Sequence, residues 1–216
     1  MIPRIRIACV HATPLAIGPV AEAFKRWAPD WECKNVVEER LVALQGEGDA
    51  ALALFLDVLR RAEAGAPAVI LTTCSMYTRR LPEVRPLIGK SVVGIDEPMI
   101  EKAAEAGGPI ALVGSIEEAV NGTARLIRER AKARGRSVDL SRRLLVDPKI
   151  CTQPAGVREL EEKIRPLIQV CHAVVVVQAS LSVVEDFFTG AEKEKILTSP
   201  RLAVARLKEI LEGYPS

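Results

Sequence analysis

Cys74 is the residue of this sequence best placed to do chemistry. It closes the apolar run 68–74, which has the length and β-branched content of a buried parallel strand, and Ser75 follows it. Open α/β sheets bind their ligands at the carboxyl ends of such strands. The backbone amides of Thr73, Cys74 and Ser75 would turn there toward the next helix, bind an anion and lower the pKa of the thiol. The pattern therefore predicts a reactive thiolate; the alternative is a cysteine that only fills space in the core.

The composition is that of an ordinary globular protein and excludes several classes of partner. The chain has 216 residues and a net charge of +2, which is too small to indicate binding to nucleic acid or to an anionic membrane. Aromatic residues make up 4%, which argues against a base-stacking platform. The longest apolar run, 173–177, is too short to span a bilayer, and no signal peptide is recognisable. A cytoplasmic protein is expected.

The cysteines and histidines do not form a recognisable metal or disulfide pattern. There are five cysteines, an odd number, with no close C-x-x-C pair, and only two histidines. This argues against a disulfide framework, a zinc site and a Ser-His-Asp triad. We expect no metal and no cofactor, and a structural role for the other four cysteines, which are Cys9, Cys33, Cys151 and Cys171.

Short apolar runs alternate with longer amphipathic stretches, a pattern typical of an α/β protein whose parallel sheet is covered on both faces. The predicted strands are 5–10, 32–37, 68–73, 91–95, 110–114, 143–146, 173–177 and 195–198. The predicted helices are 16–27, 49–64, 99–106, 116–134, 156–170 and 201–211.

The two halves of the sequence repeat one order of elements. His11 and Ser115 end similar runs, Cys74 and Gln178 end another similar pair, and the two pairs have the same spacing. The repeat predicts an α/β fold of two pseudo-symmetric lobes, each a four-stranded parallel sheet flanked by helices. The first lobe would be 1–97 with 199–216 and the second 98–198, with an active-site cleft between them where Cys74 faces Gln178.

Four short segments, in order, carry a resemblance to a known superfamily. They are Val-His-Ala-Thr-Pro at 10–14, Leu-Thr-Thr-Cys-Ser at 71–75, Ile-Asp-Glu-Pro-Met at 95–99 and Val-Gln-Ala-Ser-Leu at 177–181. Together they resemble the aspartate/glutamate/hydantoin racemase superfamily over nearly the whole chain. The resemblance implies two lobes that each supply a cysteine. The two thiols act, without a cofactor, as base and acid on opposite faces of a carbon next to a carboxylate.

The sequence departs from this pattern at the second cysteine. Cys74 matches the first cysteine of the superfamily, but Gln178 stands where the second is expected, and glutamine cannot titrate. A symmetric two-thiol racemase is therefore not predicted. One-cysteine relatives include arylmalonate-type decarboxylases, whose thiol protonates an enediolate after loss of carbon dioxide, although their cysteine occupies the second position.

The resemblance and the strand ends together predict a substrate site around Cys74. Its expected members are His11, Thr13, Thr73, Ser75, Ser115, Gln178, Ala179 and Ser180. For the hydroxyl residues the alternative is a role as helix or turn caps, and His11 is equally well explained as a histidine with satisfied hydrogen bonds. Asp96 is expected to cap the helix that follows it, with binding of a substrate amino group as the alternative.

The sequence is compatible with three functions. The first is an isomerase or racemase in which Cys74 is the base and the second proton comes from water or from a hydroxyl such as Ser180. The second is a lyase in which Cys74 donates a proton after decarboxylation. The third is a non-catalytic protein that binds small carboxylates, because fold does not determine function. The expected partner is an amino acid, a hydantoin or a small organic acid, and a homo-oligomer is the commonest assembly.

Overall fold

A computed structural model describes residues 4–44 and 46–212 of the chain. The ends of the predicted first lobe, 1–3 and 213–216, lie outside the described residues. The chain divides into two compact units, 1–97 with 200–216, and 98–199. Each unit contains one four-stranded sheet in which all neighbouring strands are parallel, so the predicted α/β class is confirmed.

The first unit is built around the strand order β2-β1-β3-β4. Its elements are β1 (Arg6–His11), α1 (Ile17–Trp27), β2 (Glu32–Val37), α2 (Arg40–Leu44), α3 (Gly48–Glu63), β3 (Val69–Thr72), α4 (Leu81–Val84) and β4 (Val92–Gly94). Short 3-10 segments lie at Pro14–Ala16, Ser75–Arg80 and Arg85–Leu87. The second of these follows Cys74 directly, so the chain turns into a helical segment at the end of β3.

The second unit repeats this plan with the order β6-β5-β7-β8. Its elements are α5 (Glu97–Ala106, of which Glu97 belongs to the first unit), β5 (Gly108–Gly114), α6 (Glu117–Ala133), β6 (Val138–Leu145), α7 (Pro154–Val170), β7 (Ala173–Val176), α8 (Gly190–Lys195) and β8 (Ile196–Thr198). Two 3-10 segments lie at Ile150–Thr152 and Ala179–Phe187, and the chain ends with α9 (Ser199–Glu212). The matching strand orders are the structural form of the repeat seen in the sequence.

The sheet of the first unit is covered by helices on both faces. Successive residues of β1 point to opposite faces, so neighbouring residues pack in different clusters. Val10 belongs to a buried cluster with Phe55 of α3 on one face. Cys9 belongs to a cluster with Phe24 of α1 and Leu207 of α9 on the other face. The last helix of the chain therefore packs on the first unit, where it supports the strands that end at the candidate site.

The start of α7 depends on a close approach of two backbone segments. A Cβ atom at Gly156 would lie 1.8 Å from the carbonyl oxygen of Ile150, in the 3-10 segment that precedes the helix. No side chain fits that gap, so glycine is required there.

The largest difference from the predicted elements is β6, which begins at Val138 rather than at 143. β6 is an edge strand, and exposed residues such as Asp139 and Ser141 alternate along it with less exposed ones. An apolar run does not mark such a strand, because only part of it contacts the core. None of the helices in the described ranges is both long and apolar enough to cross a bilayer.

Candidate functional site

Cys74 lies at the carboxyl end of β3, as its position in the sequence predicts. β3 runs between β1 and β4, and Thr72 pairs with Val10 on one side and Gly94 on the other. Cys74 is half-buried and occupies the position before the 3-10 segment Ser75–Arg80. The backbone N–H of Tyr77 donates a hydrogen bond of 3.0 Å to the carbonyl oxygen of Cys74, which closes the first turn of that segment. The side chain of Cys74 packs against the buried cluster that contains Val10 and Phe55.

The expected lowering of the Cys74 pKa is wrong. Burial raises the pKa of this thiol to about 11, and the negative charge of Asp96 raises it further, whereas the nearby backbone N–H groups of Met76 and Tyr77 lower it. Loss of solvation outweighs the effect of the two amides because it disfavours the thiolate directly. Cys74 is therefore a protonated thiol at neutral pH.

His11 connects two neighbouring strands by hydrogen bonds from both nitrogens of its ring. Nε2 lies 2.9 Å from Oδ1 of Asn35 in β2, and Nδ1 lies 2.9 Å from Oγ1 of Thr73, directly before Cys74. The imidazole is completely buried, whereas Thr73 is half-buried. Burial lowers the pKa of His11, and the hydrogen bond to Asn35 opposes that shift. The ring is therefore neutral at neutral pH and holds Thr73 in place.

Asp96 is a buried carboxyl group close enough to influence Cys74. Thr78, in the 3-10 segment after Cys74, donates a hydrogen bond to Oδ1, and Oδ2 has no hydrogen-bond partner. Burial raises the pKa of Asp96 to about 7, although the hydrogen bond from Thr78 lowers it. The expected cap of α5 is thus replaced by a hydrogen bond that ties the end of β4 to the segment that begins at Cys74.

Gln178 occupies the corresponding strand end of the second unit. Its Oε1 accepts a hydrogen bond of 2.9 Å from the backbone N–H of Ser115, which follows β5. Its Nε2 is buried and has no hydrogen-bond partner. The space for this side chain exists because residue 114 is glycine: a Cβ there would lie 3.0 Å from Oε1. Since Oε1 must face the N–H of Ser115, Nε2 presents two unused donors.

The remaining predicted residues occupy the same strand ends. Thr13 follows β1, and its Oγ1 accepts the N–H of Leu15 at 3.4 Å, so this side chain caps a turn. Ser75 begins the 3-10 segment after Cys74, while Ala179 and Ser180 begin the one after Gln178.

The alternative role of Ser115, as a helix cap, is wrong because Ile116 is the residue that precedes α6. The structure thus groups His11, Thr73, Cys74 and Ser75 in the first unit and Ser115, Gln178, Ala179 and Ser180 in the second. The cleft shared by Cys74 and Gln178 stays a prediction.

Two polar arrangements near these strand ends were missed from the sequence. Asn35 is an exposed residue of an edge strand, and only the pairing of β2 with β1 brings it to His11. Glu185 and Thr198 form a buried hydrogen bond of 2.6 Å in the second unit, in the place that Thr78 and Asp96 take in the first. Neither belongs to a motif, because each contact joins positions that are distant in the sequence.

A metal centre is not found among the residues that the structure describes. Within 4–44 and 46–212, no group of three or more His, Cys, Asp or Glu side chains is arranged to hold an ion.

No known protein-family model matches the sequence, and no curated protein is similar to it. Solved structures do match. Allantoin racemase from Klebsiella pneumoniae has a TM-score of 0.70 at 14% identity, covering 96% of this chain and 88% of that one. An aspartate racemase homologue from Pyrococcus horikoshii has a TM-score of 0.66 at 10% identity, covering 96% and 99%.

Maleate cis-trans isomerase from Nocardia farcinica, in a structure with a covalently bound succinylcysteine intermediate, has a TM-score of 0.63 at 18% identity, covering 97% and 94%. Identities this low establish similarity of fold and nothing finer. The chain therefore shares the fold of these two racemase structures and of the maleate isomerase.

Proposed function

We propose that this protein is a cofactor-independent isomerase or racemase that moves a proton at a carbon next to a carboxylate, with Cys74 as the group that transfers it. The observation that carries the proposal is the placement of Cys74, half-buried, between the end of β3 and the 3-10 segment Ser75–Arg80. A thiol in this position gives and takes protons at a bound ligand. The similarity to racemases and an isomerase supports this use of the fold.

Gln178 changes what the second strand end contributes. With Oε1 bound to Ser115, the free Nε2 group donates hydrogen bonds but supplies no proton to carbon. An unpaired buried donor costs about 1–3 kcal/mol, and a ligand carbonyl or carboxylate oxygen would recover that cost. We therefore assign Gln178 to binding of a ligand oxygen and leave Cys74, with the hydroxyl of Ser75 next to it in the chain, as the proton-transfer group.

The protonated state of Cys74 favours a second candidate, a decarboxylase. In that reaction a substituted malonate loses carbon dioxide, its electron pair forms an enediolate, and the thiol proton of Cys74 is transferred to that carbon. The resulting thiolate takes its proton back from water. A thiol with a pKa of about 11 begins this step in the required state, whereas a racemase needs it to lose its proton first.

Hydrogen exchange at carbon tests the first candidate. The protein is incubated in deuterium oxide with a panel of amino acids, hydantoins and small organic acids, and deuterium at the carbon next to the carboxyl or carbonyl group is measured by mass spectrometry. The unmodified protein should catalyse exchange on a member of the panel, and Cys74→Ser should abolish it because a serine hydroxyl is a much weaker base. Cys151→Ser, which changes a half-buried cysteine of the second unit, is the matched control and should retain the activity.

The dependence of the rate on pH separates the two candidates. If Cys74 is the base, kcat/KM should rise with pH toward about 11, because the thiolate is the active form of the free protein. If Cys74 is the acid, release of carbon dioxide from substituted malonates should be constant below that pH and fall above it. Exchange or decarboxylation that survives Cys74→Ser contradicts the assignment of the residue. Binding of these acids without either reaction would identify a non-catalytic binding protein.

A further inference from the structure

A continuous chain of hydrogen bonds crosses the ends of three neighbouring strands and finishes at the residue before Cys74. It runs from Asn35 through the buried ring of His11 to the hydroxyl of Thr73, with a separation of 2.9 Å at each step. The carbonyl oxygen of Val10, 3.2 Å away, is a second internal acceptor for the hydroxyl hydrogen of Thr73. Asn35 is exposed and Thr73 is half-buried, so only the imidazole is fully removed from solvent.

The number of hydrogen atoms shared among Asn35, His11 and Thr73 decides what Thr73 offers to a ligand. The Oδ1 atom of Asn35 has no hydrogen, so the Nε2 atom of His11 must donate to it. A neutral imidazole has one N–H group, and therefore Nδ1 carries a lone pair and accepts the hydroxyl proton of Thr73. The single hydroxyl hydrogen of Thr73 then points into the protein, and its oxygen presents only lone pairs to the outside.

The backbone of Thr73 offers a ligand no donor either. Its N–H donates a hydrogen bond of 2.9 Å to the carbonyl oxygen of Val10, as part of the pairing between β3 and β1. A carboxylate oxygen placed against Thr73 would meet lone pairs only, whereas an N–H group would find an acceptor. This reverses the expectation that the hydroxyl and the amide of Thr73 help to bind a carboxylate.

We propose that Thr73 is a specificity-determining residue whose oxygen accepts a hydrogen bond from a substrate N–H, and that His11 and Asn35 are positioning residues that hold it in the accepting state. The inference rests on the proposed function, because it takes the ligand to bind beside Cys74. The substrate class that fits carries an amino, amide or ureido N–H on the carbon that also bears the carboxyl or carbonyl group. Substrates that have only oxygen on that carbon are disfavoured.

A pair of probes that differ in a single group tests this directly. Pyroglutamate carries a ring N–H on the carbon next to its carboxylate, and the corresponding γ-lactone acid has a ring oxygen in its place with the same charge. Dissociation constants for both are measured by ligand-observed NMR titration of the full chain at neutral pH. We expect pyroglutamate to bind about tenfold more tightly than the lactone acid. The lactone acid loses the hydrogen bond to Thr73, and its ring oxygen is also brought against the oxygen of Thr73.

Variants of the chain locate the source of the preference. Thr73→Ser keeps the hydroxyl and should keep the ratio, whereas Thr73→Val removes the acceptor and should bring the two dissociation constants within about twofold. Asn35→Ala removes the acceptor that keeps the hydrogen of His11 on Nε2. Nδ1 can then donate to the oxygen of Thr73 and occupy one of its lone pairs, so the ratio should shrink. Lys34→Ala changes the exposed neighbouring residue of β2 and serves as the control. Because Asn35 and Lys34 are exposed, both variants should fold even if Thr73→Val does not.

The outcomes separate this inference from the function on which it rests. Equal binding of the two acids, or tighter binding of the lactone acid, overturns the inference and leaves the proposed carboxylate site standing. An unchanged ratio in Asn35→Ala overturns the positioning role of His11 and Asn35. Failure of both acids to bind, together with no proton exchange on any compound of the panel, overturns the proposed function and the inference with it.

Discussion

Replacement of Asp96 by asparagine should make the stability of the protein less dependent on pH. Asp96 is 2% exposed, its Oδ2 atom has no partner, and burial raises the pKa of the carboxyl to about 7. An unfolded aspartate has a pKa of about 3.9. Asparagine has nearly the same shape, and its Oδ1 still accepts the hydrogen bond from Thr78. The substitution therefore removes the charge with little change in packing.

The sign and size of the effect follow from proton linkage. Between about pH 4 and pH 7 the folded protein holds a proton on Asp96 that the unfolded chain has released. The contribution of this proton is fully present below the unfolded pKa and is lost as pH rises through the folded pKa of about 7. Stability should therefore fall by about 1.4 kcal/mol per pH unit in this interval, or about 3 kcal/mol between pH 5 and pH 8.

Urea unfolding at pH 5 and pH 8 measures this difference. Relative to Asp96→Asn, the unmodified protein should lose about 3 kcal/mol of unfolding free energy on going from pH 5 to pH 8. Asp30→Asn, which changes an exposed aspartate, controls for the removal of one carboxyl from the chain. If the unmodified protein and Asp96→Asn show the same pH dependence, Asp96 does not hold its proton in the folded state and the argument from burial is refuted.

Three further predictions concern the reactivity of two cysteines, the packing within the second unit and the residue at position 178. In the free protein Cys33 should react with iodoacetamide before Cys74. The hydrogen bond from Cys9 lowers the pKa of Cys33, whereas burial raises the pKa of Cys74. Peptide mass spectrometry gives the order of labelling, and faster labelling of Cys74 would contradict the prediction. Gly156→Ala should lower the unfolding free energy by about 3 kcal/mol, whereas Gly122→Ala, at a helical position with open space, should raise it slightly in the same urea titration. Gln178→Cys should create or increase hydrogen exchange at carbon by restoring a second thiol, and an unchanged rate would contradict the match of that position to the second cysteine of the racemases.

The regular elements of this protein were predictable because each depends on a local pattern. Buried parallel strands such as β3 and β7 are continuous apolar runs, and the long helices have an apolar face, so periodicity reveals both. The predicted strand 143–146 is shorter than β6 because the outward residues of β6 are polar and exposed. The short helix Arg40–Leu44 and the 3-10 segments were missed, because a single turn is too short to show a period.

The sequence by itself determined the α/β class, the repeat of strand order and the location of Cys74 at a strand end. These features follow from the order and periodicity of residues that are neighbours in the sequence. Only the tertiary structure decided the chemical state of the site: the pKa of Cys74, the pairing of Thr78 with Asp96, and the chain from Asn35 through His11 to Thr73. Burial and hydrogen-bond geometry arise from residues far apart in the sequence, and small differences in either change the direction of a pKa shift or turn a donor into an acceptor.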